Sequence, residues 1–136
     1  MIKYYVDSCI WIDFWEDRKG FMNKPLGKYA AEFFLKAFNN KILISDVVLS
    51  ELRDYMYEED IEELMNIFYR LNIIEFVRFT AKDMKISSQI AEERDIPAND
   101  VLHALIASKN DAMLISQDKH FFKLKDIVIF KRPQDL

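Results

Sequence analysis

The chain has 136 residues, 51% of them apolar and 14% aromatic with eleven Phe, a composition that excludes a disordered segment and can fill one hydrophobic core without staples. Its net charge of −4 argues against a protein that coats nucleic acid by neutralising phosphates, although acids gathered around a metal would count in the same tally. A single Cys rules out an internal disulfide and no run reaches the roughly 18 apolar residues of a membrane span, so a soluble, cytoplasmic chain forming one domain over residues 1–136 is expected.

In chain order, the first short apolar run is Tyr4-Tyr5-Val6, followed at once by Asp7. Asp7 and Asp13 interrupt the apolar stretch that a secretory signal would need. Ala30, Phe33, Phe34, Ala37 and Phe38 then recur at helical spacing. The run Ile42-Leu43-Ile44 reads as a strand, with Asp46 as the N-cap of the helix behind it and Glu51 within about two turns of that helix's start. Ile61, Leu64, Met65, Phe68 and Leu71 trace a second apolar helical face.

Ile73-Ile74 with Phe76-Val77 reads as the third strand, and Thr80 with Asp83 three residues later resembles a capping box. Pro97 precedes a helix beginning near Ala98 that carries Asp100 in its first turn and Val101, Leu102, Leu105 and Ile106 on its apolar face. Asn110 is expected to end that helix in a left-handed conformation. Met113-Leu114-Ile115 and Ile127-Val128-Ile129-Phe130 read as the last two strands, with Asp118 three residues past the first of them.

Continuous rather than alternating apolar runs suit strands covered on both faces, and strands alternating with helices imply parallel pairing. The predicted fold is a three-layer α/β/α sandwich around a central, mostly parallel sheet. Ligands of such sheets bind beyond the carboxyl ends of the strands, which is where Asp7 and Asp118 fall. Glu51 and Asp100 sit on helices that start at the same edge. Carboxylates gathered a few ångströms apart repel one another unless a cation compensates them. A hard dication such as Mg²⁺ or Mn²⁺ does so and supplies the chemistry of phosphodiester hydrolysis.

At these residues the sequence resembles the PIN-domain ribonucleases, and among them the VapC-like toxins of prokaryotic toxin–antitoxin modules. Tyr4-Tyr5-Val6-Asp7-Ser8 is similar to the family's first strand and first acid, and Val48-Leu49-Ser50-Glu51-Leu52 to its helical glutamate motif. The stretch Pro97 to Ala107, holding Asp100, resembles the helix of the third acid; Leu114 to Phe121, holding Ser116 and Asp118, resembles the final motif. The resemblance implies a Mg²⁺- or Mn²⁺-dependent endoribonuclease acting on RNA, a small antitoxin partner and a homodimer. It also implies Asp7, Glu51 and Asp100 as metal ligands, Asp118 as a fourth acid that completes the site or holds a second metal, and Ser116 as a residue orienting a water or ligand. Gln117 departs from the pattern, standing where the family often has a basic residue.

Other acids and nucleophiles read more plainly. His103 reads as a satisfied core histidine or one that supports the metal ligands from behind, His120 as an exposed polar residue, Cys9 as a small buried hydrophobe, and Lys119, Lys123, Lys125 and Lys131-Arg132 as a solvated face that is also the best basic patch for an RNA backbone. Trp11, Trp15 and the Phe33/Phe34/Phe38 stripe read as core or dimer interface. Two rival functions remain from the residues. A haloacid-dehalogenase-like phosphatase would want a second Asp where Cys9 stands, and a receiver domain would want paired acids near the start. A PIN-like scaffold that binds RNA or a partner without cutting would have no use for four mutually repelling carboxylates.

Overall fold

The computed structural model describes all 136 residues. Five strands form one sheet: β1 (Lys3–Val6), β2 (Lys41–Ile44), β3 (Ile74–Phe76), β4 (Met113–Ile115) and β5 (Phe130–Lys131). Their spatial order is β3-β2-β1-β4-β5 and every pairing is parallel. The connections carry α1 (Ser8–Glu16), α2 (Leu26–Lys36), α3 (Asp46–Arg53), α4 (Glu58–Arg70), α5 (Ala81–Arg94) and α6 (Ala98–Lys109).

Right-handed crossovers assign these helices to layers. The chain steps from β1 to β2 to β3 in one direction with α1 to α4 on one face, then crosses back to β4 with α5 and α6 on the other. Helix packing agrees: α1 lies on α2 and α3, α3 on α4, and α5 on α6. The result is the three-layer α/β/α sandwich that the alternation of runs implies.

Sheet residues Tyr5, Val6, Ile42, Leu43 and Leu114 are fully buried, which is why the strands read as unbroken apolar runs. An aromatic cluster fixes the first helical layer to the sheet. Trp11 packs on Phe34 and Phe68 with ring centroids 4.9 and 5.0 Å apart, and its indole N–H donates to the Val6 carbonyl at 3.2 Å. Gly27 opens α2 against the end of α1, where an added Cβ would come within 2.6 Å of the Asp17 backbone.

Several element ends differ from the sequence expectation. Ser45, not Asp46, holds the N-cap position of α3, and Asp46 is the first helical residue, where its charge faces the helix dipole without a capping hydrogen bond. Asn110 keeps φ at −101°; the left-handed turn after α6 falls on Asp111, φ 53°, while the Asn110 side chain donates to the Ile106 carbonyl at 2.8 Å. The last strand is shorter than the run Ile127–Phe130, because Ile127 and Val128 turn back to hydrogen-bond the Leu124 carbonyl. In the aromatic stripe Phe33 and Phe34 are core, whereas Phe38 is 49% exposed beyond the end of α2, which is compatible only with the interface half of its reading. The capping box of Thr80 and Asp83 forms in both directions, at 2.8 and 3.1 Å.

Candidate active site

The site begins at the only place in the sheet where two consecutive connections run in opposite directions. Strands β1 and β4 are neighbours, yet the chain leaves β1 toward β2 and reaches β4 from β3. Their carboxyl ends therefore open a crevice between the two helical layers. Register places Val6 beside Ile115, so the next residues, Asp7 and Ser116, emerge together. The Asp7 amide donates to the Ile115 carbonyl at 3.0 Å, and the Ser116 hydroxyl donates to Asp7 Oδ2 at 2.7 Å.

Asp7 is 5% exposed and caps α1, its Oδ1 accepting the Ser8 amide at 2.8 Å. The capping role and a ligand role use different lone pairs of the same carboxylate. Glu51 reaches the crevice from α3, where its Oε1 accepts from the Ser8 hydroxyl at 3.0 Å and from His103 Nε2–H at 2.7 Å. His103 comes from α6, is fully buried, and lies 3.6 Å from Asp7 Oδ1. Its Nδ1 is 2.7 Å from the Tyr5 hydroxyl, which is in turn 2.7 Å from the Ser45 hydroxyl. A hydrogen-bonded chain thus runs from β2 through β1 and α6 to the Glu51 carboxylate. His103 is buried and satisfied, and it touches two of the predicted ligands, so both halves of its sequence reading, a core histidine or one supporting the ligands, describe it.

The other two acids form a second group. Asp100, from the first turn of α6, is 9% exposed, and its Oδ2 is fully buried with no hydrogen bond directed to it. His120 Nδ1 lies 2.8 Å from that oxygen and 3.1 Å from Asp118 Oδ1. Asp118 caps the 3-10 turn Lys119–Leu124 by accepting the His120 amide at 2.9 Å, while its own amide donates to the Ser116 hydroxyl at 3.0 Å. Ser116 therefore ties the loop after β4 to Asp7. The four predicted acids do not form one shell. They fall into two adjacent trios, Asp7–Glu51–His103 and Asp100–Asp118–His120, each within 4.8 Å internally.

Electrostatics follow from this crowding. Burial, and then the like charges of Asp118 and Asp7, push the Asp100 carboxyl up to about 6 against the opposing pull of His120 and His103. Burial works against charge on His103 as well, but its hydrogen bond to Glu51 and the nearby Asp7, Glu51 and Asp100 carboxylates outweigh it and hold the imidazole above the usual histidine range. Burial raises the Glu51 carboxyl, and the His103 and Ser8 hydrogen bonds more than offset that, leaving it below the usual range. Four oxygen-bearing acids, one with a buried oxygen that has only the His120 nitrogen beside it, fit a hard divalent cation: it would neutralise the repulsion and satisfy Asp100 Oδ2 at once.

Several members of this constellation carried no readable signal. Ser8, Tyr5 and Ser45 are common strand-end and helix-start residues, and their convergence on Glu51 depends on strand order. His120 was read as exposed, and half of its side chain is, but its Nδ1 turns inward to both acids. Cys9 sits beside Asp7 Oδ2, 3.6 Å away, with burial pushing its thiol up. The basic residues Lys119, Lys123, Lys125 and Lys131 are exposed alongside the loop that holds Asp118.

The family model for the PIN domain matches residues 4–127. This chain belongs to the PIN-domain family. No curated protein sequence matches it. Among solved structures it is similar to VapBC2 from Rickettsia felis bound to a promoter DNA fragment, at 21% identity and TM-score 0.69, over 96% of this chain and 98% of that one. A toxin–antitoxin complex from Klebsiella pneumoniae follows at 16% identity and TM-score 0.67, over 96% and 97% of the two chains. VapBC-1 from nontypeable Haemophilus influenzae matches at 14% identity and TM-score 0.66, over 98% and 99%. At such identities the likeness establishes the fold, and the PIN fold is the one whose switch-point crevice gathers the acids described above. No helix of this PIN domain is long and apolar enough to cross a membrane.

Proposed function

We propose that this PIN domain is a Mg²⁺- or Mn²⁺-dependent endoribonuclease and the toxin of a toxin–antitoxin module, with RNA as substrate, a small antitoxin as partner and a homodimer as its working form. The observation that carries the reading is the meeting of Asp7, Glu51, Asp100 and Asp118 at the sheet's switch point, where a buried Asp100 oxygen has only the His120 ring nitrogen, 2.8 Å away, beside it. The toxin and antitoxin part is supported by the folds it resembles, which are those of toxin–antitoxin complexes.

Asp7 and Glu51 would hold the cation from one trio, with Asp100 and Asp118 completing the cluster from the adjacent one. A bound dication would lower the pKa of a water and stabilise the charge that develops on the leaving oxygen. The protein's own groups do the rest. Ser116 holds Asp7 Oδ2, and His103 with Ser8 fixes Glu51, so neither carboxylate has to reorganise when substrate arrives. Tyr5, whose phenol burial keeps firmly protonated, anchors His103 from behind. Lys119, exposed directly after Asp118, and Lys123, exposed on the same 3-10 turn, would meet the RNA phosphates.

The test is RNA cleavage with Mg²⁺ or Mn²⁺, with EDTA, and with Asp7→Asn and Asp100→Asn. Products with 5′-phosphate and 3′-hydroxyl ends that vanish under chelation and in both variants are expected. Cleavage that survives chelation and either substitution would overturn the reading.

A further inference from the structure

The loop that carries Asp118 runs on into a patch of the opposite charge. Between Lys119 and Arg132 the chain holds five basic residues and one acid, Asp126, in a molecule whose net charge is −4. Arg94 neutralises Asp126 at 2.8 Å and Asp135 takes Arg132 at 2.7 Å, whereas the exposed Lys119, Lys123, Lys125 and Lys131 pair with no carboxylate. Phe122 lies among them with 50% of its surface in solvent, although Phe121 beside it is fully buried. Its ring meets Phe130 at 5.1 Å and 87°, and the Lys125 ammonium stands 4.8 Å from its centroid. The two rings, Lys125, Lys131 and the paired Arg132 and Asp135 line an open hollow of about 260 Å³.

We propose that this hollow is a nucleobase subsite: Phe122 takes the face of one unpaired base of a single-stranded RNA, and Lys125 and Lys131 take the phosphates on either side of it. The inference deepens the nuclease reading and rests on it for what lies in the acid crevice, but concerns how the strand is held beyond that crevice.

Three arguments carry it. The first is continuity. Phe122 follows Asp118 along one 3-10 turn, about 8 Å on at 2.0 Å per residue, and Lys131 ends β5 at the same carboxyl edge of the sheet that carries Asp7 and Ser116. A strand lying across the acids reaches the hollow within a nucleotide or two. The second is chemistry. Every base offers a π-face to an aromatic ring, and unpaired ammonium groups around that ring neutralise the backbone; Lys125, on a flexible stem, exchanges the ring for a phosphate as the base arrives. RNA answers both the lysines and the adjoining crevice, whereas an acidic peptide answers the lysines alone. The third is Gln117, whose side-chain amide is spent on Gln134, 2.7 Å one way and 3.1 Å the other. That pair keeps Gln117 from the phosphates, so the backbone contact falls to the lysines, and it clamps the loop to the C-terminal turn that borders the hollow.

Fluorescence anisotropy of a short, labelled single-stranded RNA of mixed sequence reads the affinity, in the Asp7→Asn background with Mg²⁺ so that bound RNA stays whole. Each nucleotide is replaced in turn by an abasic one. One position is expected to lose roughly tenfold in affinity with its base, and to lose nothing further in Phe122→Leu, which itself binds roughly tenfold more weakly; Phe122→Trp keeps the affinity. Leu retains an apolar contact with Phe130, so a ring that serves packing alone would leave the scan unchanged. Phe122→Leu that binds as tightly as its parent, duplex RNA bound as tightly as the single strand, or oligoglutamate whose binding depends on Phe122 while that of RNA does not, overturns the subsite and leaves the nuclease reading standing. Cleavage plays no part in this readout, so a native chain that never cuts RNA but shows the Phe122-dependent position upholds the subsite while the nuclease reading falls.

Discussion

The two trios at the switch point each join two carboxylates to one histidine and differ in how they are wired. Asp7, Glu51 and His103 have their charges answered by protein groups: Ser116, Ser8, Tyr5 and one another. Asp100, Asp118 and His120 sit on a helix start and a loop, one oxygen beside only the His120 ring nitrogen and half that ring in solvent. The difference teaches that an acid cluster can be half finished by the fold itself. The first trio is preorganised by hydrogen bonds to both of its carboxylates; in the second, Asp118 is held by backbone and Ser116 contacts while Asp100 faces only the His120 ring.

Breaking the comparison starts with the ligands. Asp7→Asn is expected to lower RNA cleavage on the order of 10²–10³-fold, as loss of several kcal/mol of charge stabilisation would, and Asp118→Asn by about tenfold. Equal losses in a cleavage assay would mean that the trios act as one undivided unit. Next in size is His103→Phe, which leaves Glu51 and Tyr5 without a shared partner in the interior. Its stability in urea should fall by about 1–3 kcal/mol for each group left unpaired, whereas His120→Phe should stay within about 0.5 kcal/mol. Similar losses in the two variants would erase the contrast between wired and open.

Protonation sharpens it further. The Asp100 and Asp13 carboxyls are both pushed up to about 6, chiefly by burial, so between about pH 4 and 6 the folded chain holds protons that the unfolded chain has released. Metal-free stability therefore falls as pH rises through that window. Asp100→Asn should recover no more than about 3 kcal/mol at pH 7.5 while abolishing cation binding at its trio. Asp13→Asn, outside the trios, should gain stability over the same pH range and leave cleavage unchanged. Denaturation at pH 4 and pH 7.5 with EDTA checks both, and a stability that rises between those values in all three chains would contradict the assignment. The smallest effect belongs to Lys119→Gln, which should leave stability alone and reduce the salt dependence of RNA binding by about one unit of slope.

The sheet was legible because its strands are buried on both faces: Tyr4-Tyr5-Val6 and Ile42-Leu43-Ile44 cannot be mistaken for solvated segments. Positions of the four acids were legible too, since each stands at an element end that parallel topology directs to one edge. Their division into two groups was not. It depends on Ser116 pairing with Asp7 across the β1–β4 register and on the ring of His120 turning inward, neither of which leaves a periodic trace. Asp111 and Ser45 displaced Asn110 and Asp46 from their expected end positions for a local reason: several residues in each stretch suit the turn, and packing chose among them.

The central claim is tested most directly by anomalous diffraction from crystals soaked in Mn²⁺. Manganese within bonding distance of carboxylates among Asp7, Glu51, Asp100 and Asp118 is the predicted result. Manganese peaks found only elsewhere on the surface, with both trios unchanged, would contradict it.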